Sequence, residues 1–154
     1  MSSFEEREAK VSLNEIFPVI CETLESGANV TFKPHGTSML PLLRQGRDSV
    51  TLKKPQKPLK KYDIIFYRRK NGQFVLHRIV GKKADRLIIR GDNQLENEYG
   101  INADMVIGVV THISRDGKKI SCRSASYWFY VMFLRPLRGI KLRVGRLLGK
   151  FKSK

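Results

Sequence analysis

The sequence predicts a mainly β fold, a coiled antiparallel sheet or barrel, with a short N-terminal helix and a basic amphipathic C-terminal helix. Three observations carry this reading. Residues 29–123 alternate short runs of β-forming residues with turn residues, the texture of an antiparallel sheet rather than of βα units. Asn71-Gly72 and Asp116-Gly117 each lie between two such runs, a strong hairpin signal. Outside this stretch the apolar residues recur at spacings of three and four, the helical period.

The N-terminal helix is expected over 12–26. Ser12 and Glu15 fit a capping box, and Leu13, Phe17, Ile20 and Leu24 share one stripe. Pro18 interrupts the pattern, and Gly27 supplies a stop. Strands are expected near 29–33, 49–53, 63–69, 73–80, 86–90, 105–113 and 118–122, with an exposed loop around Pro55 and Pro58. Tyr127 to Leu134 is a dense aromatic and aliphatic run. After it Leu137, Ile140, Val144, Leu147, Leu148 and Phe151 form a helical stripe among arginines and lysines, interrupted near Pro136. The divisions are a helical segment 1–28, a β domain 29–123 and an aromatic, basic tail 124–154.

The chain has 154 residues, enough to bury a real core. Thirty Lys and Arg stand against fourteen Asp and Glu, a net charge of +16. Residues 1–26 hold six Glu against two basic residues, whereas residues 115–154 hold twelve basic residues against one acid. Such a tail suits an anionic partner, a lipid surface or a nucleic acid. Cys21 and Cys122, a hundred residues apart, form neither a disulfide framework nor a zinc spacing and read as reduced, buried thiols. No stretch is long and apolar enough to span a membrane, and the N-terminus is acidic where a signal peptide is basic. The expectation is a cytoplasmic protein whose tail either meets the inner face of the membrane or packs its apolar stripe on the sheet or on a second copy of the chain, with no metal and no cofactor.

The most informative segment is His35-Gly36-Thr37-Ser38-Met39-Leu40-Pro41-Leu42-Leu43. A serine after a glycine turn has small neighbours that let a peptide backbone approach, and its own N–H can serve as an oxyanion donor. The same serine also suits an ordinary turn. His77 lies in Val75-Leu76-His77-Arg78-Ile79-Val80 and shares a strand face with Val75 and Ile79. There a neutral imidazole can act as a general base, or simply fill a core position. His35 abuts the serine turn and could shape the cleft. His112 is expected on a strand near the sheet edge. Arg90-Gly91-Asp92-Asn93-Gln94, followed by Glu96 and Glu98, reads as a turn whose Asp92 or Glu98 could orient a histidine.

Taken together, Gly36-Thr37-Ser38-Met39-Leu40-Pro41, Tyr62-Asp63-Ile64-Ile65-Phe66-Tyr67, the His77 block, Arg90-Gly91-Asp92-Asn93 and Val106-Ile107-Gly108-Val109-Val110 resemble the type I signal peptidase and LexA-type serine peptidase superfamily. The resemblance spans about residues 30–113. It implies a coiled antiparallel β fold and a serine endopeptidase, with Ser38 as nucleophile. His77 takes the base position, as in the endoplasmic-reticulum and archaeal signal peptidases, where other members carry lysine. Asp92, with Glu98 as the alternative, is implied as the orienting acid. Gly36, Thr37, Met39 and Pro41 are expected around the substrate, a peptide or protein precursor. Several features depart from the pattern: the chain lacks an N-terminal span, shows neither the DNA-binding domain nor an obvious self-cleavage site of the repressors, has Gly36 where some relatives carry an oxyanion-assisting hydroxyl, and adds a basic tail outside the shared core. The rivals are a peptide-binding module on a degenerate peptidase fold and a basic nucleic-acid-binding protein. The latter lacks a recognition motif, so no specific nucleic acid is expected.

Overall fold

The computed structural model describes residues 13–55 and 58–151. Helix α1 (Leu13–Glu25) is followed by strands β1 (Val30–Phe32), β2 (Ser49–Lys53), β3 (Ile64–Arg68), β4 (Phe74–Lys83), β5 (Arg86–Arg90) and β6 (Glu98–Ile101). A short 3-10 turn leads into β7 (Val106–Arg115) and β8 (Lys118–Ser121), and α2 (Ala125–Phe129) and α3 (Arg135–Phe151) close the chain. Ser12, the expected cap of α1, lies outside the described residues. The helix runs through Pro18.

All strand pairs are antiparallel, in the order β1-β2-β7-β3-β4-β5-β6. β8 pairs with the C-terminal half of β7, whose N-terminal half pairs with β3. The sheet is open, with β1 and β6 at the ends of this order, and is not a closed barrel. The expected hairpins form at both sites. At the second, Asp116 (φ 48°) and Gly117 (φ 75°) are both left-handed, the geometry of a tight type I′ turn.

β6 falls where only a turn with two acids was expected. It has four residues, and Gly100 within it sits at φ 81°, so it carries little strand signal. His112 is not near an edge. It pairs with Thr51 on one side and Ser121 on the other.

Side-chain alternation along β3 divides two cores. Ile64 and Phe66 join Val50, Leu52, Val110 and Ile113 under α1, which contributes Ile20 and Leu24. Ile65 and Tyr67 join Ile79, Leu87, Ile89 and Ile101 on the other face. Neither cysteine is disulfide-bonded, and both are half-buried rather than buried.

The tail is continuous helix, not a helix broken at Pro136. Between α2 and α3 the segment Tyr130–Leu134 is a π-helical turn. A proline two residues beyond it lacks the N–H that an α-helix needs and crowds the preceding turn. A widened turn is one way a helix accommodates this. Ser124 caps α2 by accepting from the Tyr127 N–H.

Candidate active site

The loop between β1 and β2 carries Ser38 and is held at several points. Gly36, at φ 97°, adopts a conformation that favours glycine, and its N–H donates to Gln45 Oε1 at 3.0 Å. The Leu40 N–H donates to the Thr37 carbonyl at 3.2 Å, and the Leu43 N–H to that of Met39 at 3.0 Å. At the loop's end the buried Asp48 carboxylate accepts from the Arg44 N–H at 2.8 Å and from its guanidinium at 2.7 Å. Burial alone would raise its pKa, but the Arg44 hydrogen bonds prevail and hold it below the ordinary value.

The second clamp on this loop comes from the Gly91-Asp92-Asn93-Gln94 turn. The Asn93 N–H donates to the Ser38 carbonyl at 2.7 Å, and Asn93 Nδ2 donates to the Thr37 carbonyl at 3.2 Å. The two backbones come so close that a Cβ on Gly91 would stand 2.6 Å from the Ser38 oxygen. This explains why glycine occupies position 91.

His77 sits in mid-β4, opposite Ile65, and is 4% exposed. Its Nδ1 is buried with no hydrogen-bond partner among the described residues. Burial drives its pKa from 6.5 down to about 4, against the opposing pull of the Glu98 charge. The ring is therefore neutral near pH 7. Ser38 and His77 both line a cleft of about 240 Å³, together with Gly36, Met39, Leu43 and His35. Arg69 and Gln94 border this cleft and also a wider, shallower groove of about 650 Å³ between residues 93–98 and α3.

The two candidate acids have different surroundings. Glu98 accepts from the Tyr67 hydroxyl at 2.7 Å and from Arg69 at 2.6 and 2.7 Å. Burial would raise its pKa, but these bonds lower it below the ordinary value. Tyr67, on β3, lies on the same face of the sheet as His77, with ring centroids 6.4 Å apart.

Asp92 is engaged elsewhere. Its fully buried carboxylate receives a bidentate pair from Arg78, at 2.8 and 2.7 Å. It also accepts from Arg135 at 3.2 Å and from the Tyr130 hydroxyl at 3.0 Å. Adjacent residues on a strand point to opposite faces, so the partner of Arg78 lies across the sheet from the His77 ring. Asp92, expected first as the orienting acid, is held here by Arg78 and by Tyr130 and Arg135 of the tail.

Of the expected substrate residues, Gly36 and Met39 line the cleft, although Met39 is mostly buried in the core. Thr37 and Pro41 do not line it. Their carbonyls are tied to Asn93 and to Arg115. Gln45, Gln73 and Arg69 line the cleft without having been singled out, and Gln94, expected only as part of its turn, lines it too. Only Arg78 had a usable signal, its place next to His77 on a strand. Among the described residues no three His, Cys, Asp or Glu side chains are grouped to hold a metal ion. Comparison with protein-family models, curated proteins and solved structures yields no match.

Proposed function

We propose that the protein is a serine endopeptidase of signal peptidase type, acting on a peptide or protein precursor. The observation that carries this is the meeting of Ser38 and a neutral His77 in one cleft from elements 39 residues apart in sequence. In this mechanism Ser38 Oγ attacks the scissile carbonyl as His77 takes its proton. The oxyanion is met by backbone N–H groups of the Ser38 turn. His77 then protonates the leaving amine, and water that it activates hydrolyses the acyl-enzyme. The groove beyond Arg69 and Gln94 extends the cleft for a longer chain. No cofactor enters the scheme.

The base form of His77 needs its ring proton on Nδ1, and that proton needs an acceptor. Glu98 is the carboxylate whose charge acts most on His77, so it is the better choice of orienting acid, reached through a shift of the Tyr67 and Arg69 bonds. The orphaned Nδ1 also favours a second reading, a module that binds peptides without cutting them. The test is incubation of wild type, Ser38→Ala and His77→Ala with a broad peptide library, read by mass spectrometry. Cuts made by the wild type alone support the peptidase. Cleavage that persists in Ser38→Ala refutes it. Peptides retained uncut by all three proteins support the module.

A further inference from the structure

The tail helix is seated in reverse of the usual amphipathic rule. On α3 the side turned to the body is basic. Arg135 pairs with Asp92, Arg138 donates to Asn93 Oδ1 at 2.8 Å, and Arg146 pairs with Glu96 at 2.8 Å. These three residues recur at helical spacing, with Leu142 between Arg138 and Arg146 at the groove. The opposite side is apolar and faces solvent. Leu137, Ile140, Val144, Leu147 and Leu148 are each 47–61% exposed. Trp128, Phe129, Met132 and Phe133 extend the exposed apolar surface towards the start of the tail. A contiguous surface of this kind marks an interaction site.

We infer that this outward face of α3 is a docking surface for an anionic lipid bilayer, lying in the plane of the interface. It goes beyond the peptidase reading and does not depend on it. Charge selects the occupant. Residues 127–154 contain eight basic residues and no acid, so a second copy of the helix would be repelled. Lys141 and Arg143, which border the stripe, make no ion pair among the described residues, whereas the inward arginines do. Apolar side chains set among unpaired cations are the pattern of helices that lie in the headgroup region.

The test uses the full chain with vesicles of phosphatidylcholine alone or mixed with phosphatidylserine. Trp128 is the single tryptophan and is 41% exposed, so its emission reports burial of the tail. At low salt the protein should sediment with the mixed vesicles, with Trp128 emission shifted to the blue. Leu137→Ser with Leu148→Ser should weaken binding about tenfold or more, since each leucine loses apolar burial. Far-UV circular dichroism checks that the variant keeps its fold. Absence of sedimentation with mixed vesicles overturns the proposal. Binding that the double variant retains in full also overturns it, because charge alone then explains it. A dimer that shields Trp128 without lipid assigns the face to a second copy.

Discussion

The depressed pKa of His77 makes a quantitative prediction about acid stability. With Nδ1 buried and unpartnered, protonation would place a cation in an apolar wall, and the pKa falls from 6.5 to about 4. An unfolded chain takes up this proton near pH 6.5, whereas the folded chain resists until about pH 4. Between these values the unfolded state binds more protons, so folding stability falls as the pH falls. Above pH 6.5 both states are neutral and the effect vanishes. At about 1.4 kcal/mol per tenfold change, the loss reaches about 2 kcal/mol at pH 5 and about 3 kcal/mol below pH 4. The assay is urea denaturation of wild type and His77→Gln across pH 4–7. The slope, not the absolute stability, is the readout, because the substitution also repacks the site. The variant should lose the His77 share of the acid sensitivity. Identical slopes for the two proteins would refute the argument and show that the imidazole titrates normally in the folded state. In the peptidase reading, the acid limb of kcat/KM for the wild type should likewise fall towards pH 4 rather than at 6.5.

Three further outcomes separate the roles of nearby residues. Asp92→Asn should cost about 3–5 kcal/mol, because it removes the carboxylate facing a fully buried Arg78, and thermal melting should fall by about 10 °C. Glu98→Gln should instead leave melting within a few degrees and, in the peptidase reading, lower kcat tenfold or more. Equal kcat in Glu98→Gln and wild type would remove Glu98 from the mechanism. Gly91→Ala places a methyl 2.6 Å from the Ser38 carbonyl and should cost about 1–3 kcal/mol with most of the cleavage activity, measured on the peptides that the wild type cuts.

Legibility in the sequence followed the strength of local signals. The hairpins at Asn71-Gly72 and Asp116-Gly117 were readable because their turn chemistry is local. β6 was not, because Gly100 interrupts four residues whose pairing with β5 is decided by tertiary contacts. In the candidate site, Ser38 and His77 stood out by residue type and setting. The acids did not resolve, since spacing along the chain does not say which face of the sheet a turn carboxylate reaches. Arg78 was the missing guide. A guanidinium next to His77 on a strand must go to the other face, and a buried arginine there requires a carboxylate. Asp92 supplies it.

That buried cluster also explains how an apolar helix face can remain outside. Apolar contact is non-directional, and an apolar seat on the body would draw in the Leu137, Ile140 and Val144 stripe. The seat offered is instead a carboxylate and an amide. Arg78 holds the Asp92 carboxylate on both oxygens, while Arg135 and the Tyr130 hydroxyl approach it from the tail. Arg138 bonds Asn93, one residue on. Arginine hydrogen bonds are directional and fix the roll of the helix about its axis. With Arg135 and Arg138 inward, the helical repeat leaves the leucines outward. Asn93 also donates to the Ser38 carbonyl, so the contact that orients the tail is one residue pair away from the Ser38 turn. Loss of the Arg138 bond in Arg138→Ala should therefore register in Trp128 exposure and, in the peptidase reading, in turnover, whereas Leu148→Ser, on the outward face, should register only in lipid binding.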